Sequence, residues 1–180
     1  MTDQTGRERF EAAVLPHLNA AHNLARWLTR NPDLAQDVVQ DAVMRALTYF
    51  PGFKGTNPRG WLLQIVRNAA YAALKIHRGL RLVTLNDGET DGEAPPTQLH
   101  DPGDSPERAL IRARDQVSVT RLLENLPAEL REVLVLRELE ELSYREIAQI
   151  TDTPIGTVMS RLWRARQLLS AAAPAELRNA

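Results

Sequence analysis

Thr157, Ser160, Arg161 and Arg164 fall on one face of a helical repeat, and the stretch from Pro154 to Leu169 holds three arginines and no acid. Guanidinium forks and hydroxyls so placed are hydrogen-bonding groups for base edges in a DNA major groove and for phosphates. No nucleophile, base pair or metal constellation of an enzyme accompanies them. A solvated amphipathic helix would show the same face, so both readings stand on this stretch alone. A second set lies earlier. Trp61, Gln64, Asn68, Tyr71, Lys75 and Arg78, with Arg67 beside them, oppose an apolar face of Leu62, Ile65, Val66, Ala69 and Ala73. Rings that stack on bases, interleaved with amides and cations that hold phosphates, suit an unstacked single strand. The structural alternative makes Trp61 a core anchor and Tyr71 a half-buried surface residue.

The elements that must carry these side chains are legible around them. Ser143 followed by Glu146 is a capping box, so a helix is expected to start near Tyr144 and bury Ile147, Ala148 and Ile150. Thr151, Asp152 and Thr153 break the apolar period; Asp152 tolerates a left-handed backbone, Thr153 can cap the next helix, and Pro154 fits its first position. Ile155, Val158, Leu162, Ala165 and Leu169 then form an inward stripe. Two helices precede this helix-turn-helix, one through Val119, Leu122, Leu123 and Leu126, the other through Leu130, Val133, Leu134 and Leu136, with Pro127 between them. Glu138, Glu140 and Glu141 read as exposed.

In the N-terminal half, Phe10 to Arg30 is helical with a possible break at Pro16, and Asn31, Pro32 and Asp33 start a second helix. Its inward positions are Ala35, Val38, Val39, Ala42, Val43, Ala46, Leu47 and Phe50; Asp37, Gln40, Asp41, Met44 and Arg45 lie opposite. The loop PGFKGTNPRG leads to a third helix, from Trp61 to about Arg78.

Charge is segregated. The net charge is −1, yet Arg59 to Arg81 holds five cations and no acid, and Val83 to Glu107 holds seven acids and no Lys or Arg. That acidic stretch, rich in Gly, Pro and Thr, reads as a linker over 83–107 between an N-terminal module at 8–82 and a C-terminal one at 108–174. Both modules read as all-α. The chain has no cysteine, and His17, His22, His77 and His100 show no ligand spacing, so neither a metal nor a cofactor is expected. Neither a membrane span nor a signal peptide is legible, which points to the cytoplasm.

Three ordered motifs now carry a resemblance. DLAQDVVQDAVMRAL, GWLLQIVRNAAYAALKIHR and LPAELREVLVLRELEELSYREIAQITDTPIGTVMSRLWRARQLL resemble the extracytoplasmic-function type of bacterial RNA polymerase sigma factor, over nearly all of Phe10 to Leu169. The resemblance implies region 2 and region 4 domains joined by a flexible linker, promoter-specific initiation without covalent catalysis, and control by an anti-sigma factor. It implies partners in promoter DNA and in the largest and second-largest subunits of core polymerase. Position by position, it implies that Asp37, Gln40, Asp41 and Met44 dock on a polymerase coiled coil. Phe53, Lys54, Trp61, Arg67, Asn68, Tyr71, Lys75 and Arg78 would melt and hold the −10 element, and Thr157, Ser160, Arg161 and Arg164 would read the −35 duplex. Asp152 stands where the family commonly has Gly, and Met159 where it often has Lys or Arg. The residues alone also allow a free helix-turn-helix repressor with palindromic sites, or an adaptor that captures a partner through the Asp37 to Arg45 face.

Overall fold

The computed structural model describes residues 2–84 and 119–172, and every regular element among them is helical. The N-terminal elements are α1 (Thr2–Val14), a 3-10 turn at Leu15–His17, α2 (Leu18–Thr29), α3 (Pro32–Tyr49), a second 3-10 turn at Phe50–Gly52, and α4 (Pro58–Thr84). The C-terminal elements are α5 (119–125), α6 (Ala128–Leu134), a π-helical turn at Val135–Leu139, α7 (Tyr144–Thr151) and α8 (Ile155–Ala172). Most of the linker read at 83–107 lies outside the described residues, as do 108–118 and His100.

Local chemistry sets the boundaries. Pro16 interrupts the first helical stretch within the 3-10 turn, because its ring removes a donor that an α-helix needs. Arg30 closes α2 in the left-handed region at φ 58°, while the Thr29 hydroxyl donates to the Ala25 carbonyl at 2.9 Å. Asn31 caps α3, its side chain accepting from the Leu34 N–H at 3.0 Å, and Pro32 follows with a pre-set φ. The buried stripe of α3 is Ala35, Val38, Ala42 and Ala46. Such small side chains let α3 lie close to both α2 and α4, the two helices it packs against. Leu47, expected inside, is 46% exposed. The stripe has drifted past it by the last turn.

Leu24, Leu28, Leu62, Leu63 and Val66 fill the N-terminal core, and Val133, Leu136, Ile147, Ile150 and Leu162 the C-terminal one, all fully buried. Each such Leu or Ile contributes about 1.5–3 kcal/mol of burial. The two cores join in one apolar cluster, because α7 packs on α4 and α6 packs on α2.

Three further expectations change. The third helix starts before Trp61 and continues past Arg78 to Thr84. Val119, placed in an apolar stripe, is 47% exposed. After α6 the chain widens into the π turn, with the Glu140 N–H on the Val135 carbonyl at 3.1 Å, and Glu140 ends up buried at 8% exposure instead of solvated.

Candidate functional site

The helix-turn-helix is held by its own polar groups. Ser143 Oγ accepts from the Glu146 N–H at 3.3 Å, and Glu146 Oε2 accepts from the Ser143 N–H at 2.9 Å and from its hydroxyl at 2.7 Å. Those bonds from Ser143 hold the Glu146 carboxyl below its ordinary range. Asp152 turns the chain at φ 51°, ψ 47°, its N–H on the Ala148 carbonyl. Pro154 sits one position earlier than expected. Its carbonyl accepts from Thr157 and Val158, so it caps α8 itself, while the Thr153 hydroxyl lies 2.8 Å from that of Thr151.

With Val158, Leu162 and Ala165 buried, α8 turns Ser160, Arg164 and Gln167 to solvent, together with Met159 at 52% and Trp163 at 63% exposure. Trp163 was not singled out from the sequence; its place one turn after Met159 and Ser160 is the signal that could have found it. Arg161 and Thr157 are only half-exposed. Arg161 bonds to Glu129 of α6 at 3.0 Å, and Arg166 to Glu138 at 2.7 Å.

On α4 the candidate residues separate into three groups. Asn57 Oδ1 caps the helix by accepting from the Gly60 N–H at 2.9 Å. Just beyond it, Trp61 stacks on Phe53 with centroids 4.6 Å apart, and Phe50 joins them, edge-on to Phe10. A Cβ on Gly55 would meet the Phe53 ring at 2.8 Å, so any side chain there must displace the ring. The second group, Lys54 on that loop with Asn68, Lys75 and Arg78 on the helix, is exposed. The third is covered. Arg67 donates to both oxygens of Glu132 in α6, at 2.5 and 3.4 Å, and the Tyr71 hydroxyl donates to Oε2 at 3.3 Å. Glu132 is fully buried, and burial pushes its carboxyl up against the opposing pull of Arg67; burial first, then the Glu132 charge, pushes the Tyr71 phenol up as well. Gln64, read as outward, reaches the Gln149 carbonyl at 3.4 Å.

On α3, Asp37, Gln40, Asp41 and Met44 share an exposed face, with Asp41 paired to Arg45 at 2.9 Å. Tyr49, 65% exposed near the end of that helix, was not among the sequence candidates. Among the described residues no group of three His, Cys, Asp or Glu could hold a metal ion, and no helix is long and apolar enough to cross a membrane.

Residues 13–78 match the family described as Sigma-70 region 2, and residues 116–169 match Sigma-70, region 4. The RNA polymerase sigma-H factor of Pseudomonas aeruginosa is 35% identical over 98% of this chain and 93% of its own length. The ECF RNA polymerase sigma-E factor of Escherichia coli K12 is 35% identical over 94% and 93%. The chain belongs to the extracytoplasmic-function sigma factors. Among solved structures it is similar to the sigma factor RpoE of Bartonella quintana in complex with the anti-sigma factor NepR, with TM-score 0.73, 30% identity, and 92% and 96% of the two chains covered. It is also similar to CnrH in complex with the cytosolic domain of CnrY, with TM-score 0.61, 25% identity, and 92% and 87% covered. As a sigma factor the protein binds core RNA polymerase and directs initiation at particular promoters. The helix-turn-helix of α7 and α8 falls in its region 4, and the α3 face and most of α4 in region 2.

Proposed function

We propose that this sigma factor divides promoter recognition among three faces, borne by a region 2 domain at 8–82 and a region 4 domain at 108–174 with the linker 83–107 between them. The α3 face of Asp37, Gln40, Asp41 and Met44 docks on a basic polymerase coiled coil: its carboxylates meet cations and its thioether meets apolar side chains. The α4 side chains Arg67, Asn68, Tyr71, Lys75 and Arg78, with Lys54 on the loop, hold the melted −10 strand, and the Phe53–Trp61 stack forms the wall at which base stacking ends. On α8, Thr157, Ser160, Arg161 and Arg164 read the −35 duplex, and the exposed Trp163 adds an apolar surface to the same groove. Initiation then needs no covalent chemistry from the chain. Melting costs a few kcal/mol, offset by capture of the extruded base.

The observation that carries the reading is α8 itself, launched from a capped sharp turn with Ser160, Trp163 and Arg164 exposed on one face. Run-off transcription with core polymerase tests it. Arg164→Ala should weaken promoter-directed product; product equal to that of the parent at limiting protein overturns the assignment of α8.

Control by an anti-sigma factor and a cytoplasmic location complete the proposal. They are supported by the similar RpoE, which was solved with an anti-sigma factor, and by the similar CnrH, bound to a cytosolic domain.

A further inference from the structure

Most polar side chains of α8 are already engaged within the chain. The Ser160 hydroxyl donates to the Thr157 carbonyl at 3.0 Å, Glu129 holds Arg161, and Glu138 holds Arg166. Of the three arginines on this helix, Arg164 alone has no acid partner among the described residues. Beside it the exposed surface is apolar. Ile155, Met159 and Trp163, all exposed, recur at i, i+4 and i+8 and so form one inclined ridge along the helix. Val158, Leu162 and Ala165 already supply the buried stripe, which leaves the ridge without a part in the core. We propose that the ridge reads thymine methyl groups: Met159, flanked by Trp163, packs on the C5-methyl of a thymine in the −35 element while Arg164 hydrogen-bonds a neighbouring base.

Thymine is the one base that presents a methyl group in the major groove, and apolar side chains recognise it by contact. A thioether suits that contact because it is flexible and polarizable and needs no fixed donor; an indole beside it supplies a broad wall. Gly156 lets the helix come close. It lies on the exposed face one turn before Met159 and Ser160, and nothing stands within 4 Å of where its Cβ would be, so the first turn offers bare backbone to the base edges. Met159 and Trp163 are one turn apart, about 6 Å along the axis, which is close to two base steps of about 3.4 Å. A protein partner would also cover an apolar ridge, but the unpaired Arg164 on the adjoining face and the continuity of the ridge with the −35 surface favour DNA. The inference rests on the reading of α8 as the −35 helix.

The test uses holoenzyme assembled from core polymerase and the full-length chain. Transcription from a genomic fragment library defines the upstream element, which is then remade as synthetic duplexes with each thymine in turn replaced by deoxyuridine, a base that lacks only the methyl. Binding by the parent should fall about fourfold at one or two thymines, the equivalent of one buried methyl group, and stay unchanged at the others. Where two thymines respond, they should lie within about two base pairs of each other. Met159→Gln, similar in length but polar, should flatten the response at one of these positions, and Met159→Leu should keep it. Both variants change an exposed side chain, and circular dichroism checks that the helices are kept. An upstream element without thymine, deoxyuridine duplexes that all bind like the thymine ones, or a methyl response that Met159→Gln and Trp163→Ala both leave intact overturns the proposal. Unchanged selection of the upstream element by Arg164→Ala would instead overturn the −35 reading of α8, and that result does not involve the methyl groups.

Discussion

Arg161 and Arg164 stand three residues apart on one helix and look equivalent in sequence, but Glu129 holds the first and solvent surrounds the second. Arg164→Ala should cost about 1–3 kcal/mol of promoter discrimination if it reads a base edge, whereas on a phosphate it would weaken all sequences alike and lower the salt slope by about one. Binding of the holoenzyme to parent and mismatched promoters over a salt series separates the two. Glu129→Ala should leave the melting temperature almost unchanged, since an exposed ion pair contributes about 0–1 kcal/mol. Glu146 makes the pH prediction. Its folded pKa lies below its ordinary 4.5, so the bonds to Ser143 stabilise the fold above that value and are lost as pH falls through the lower, folded one. The difference in melting temperature between the parent and Glu146→Gln should therefore be largest near neutrality and shrink below pH 4.5; a difference that grows on acidification contradicts the capping geometry. These side chains were readable because a capping box is a local pattern. Glu140 was not: its partners Asn23 and Arg59 lie 117 and 81 residues away along the chain.

Helix boundaries followed from turn chemistry wherever the signal was local. Asn31 before Pro32, Ser143 before Glu146 and the left-handed Asp152 all stand where their residue types suit them. Asp152→Gly should be neutral or stabilise by up to about 1 kcal/mol, because glycine adopts the left-handed backbone without a Cβ clash, while Asp152→Val should destabilise by about 1–2 kcal/mol. Denaturant midpoints of the two variants check the ranking. Gly55→Ala would drive a methyl into the Phe53 ring and loosen its stack on Trp61, at a cost of about 1–3 kcal/mol for overpacking. A changed tryptophan emission, with helical circular dichroism kept, is the expected signature. What the sequence did not reveal has a physical cause in each case. The π turn at Val135–Leu139 has no compositional marker, and the exposure of Leu47 follows from the drift of the buried stripe around α3 by its last turn. The covered state of Arg67 and Tyr71 depends on a docking between domains that no periodicity encodes.

At the scale of the molecule, two weak readers on one chain gain from being held together, since the second contact becomes intramolecular once the first is made. Binding to core polymerase should depend on the α3 face. Asp37→Arg with Asp41→Arg should abolish core binding while leaving the melting temperature within a degree or so, because both side chains are exposed. The measurement that tests the central claim most directly is transcription in vitro from a genomic fragment library, with core polymerase and the purified full-length chain. The account predicts starts on fragments that share two spaced elements, with Arg164→Ala relaxing selection at the upstream one and Asn68→Ala at the downstream one. Starts no more frequent than with core alone, or selection in which neither variant changes either element, would contradict it.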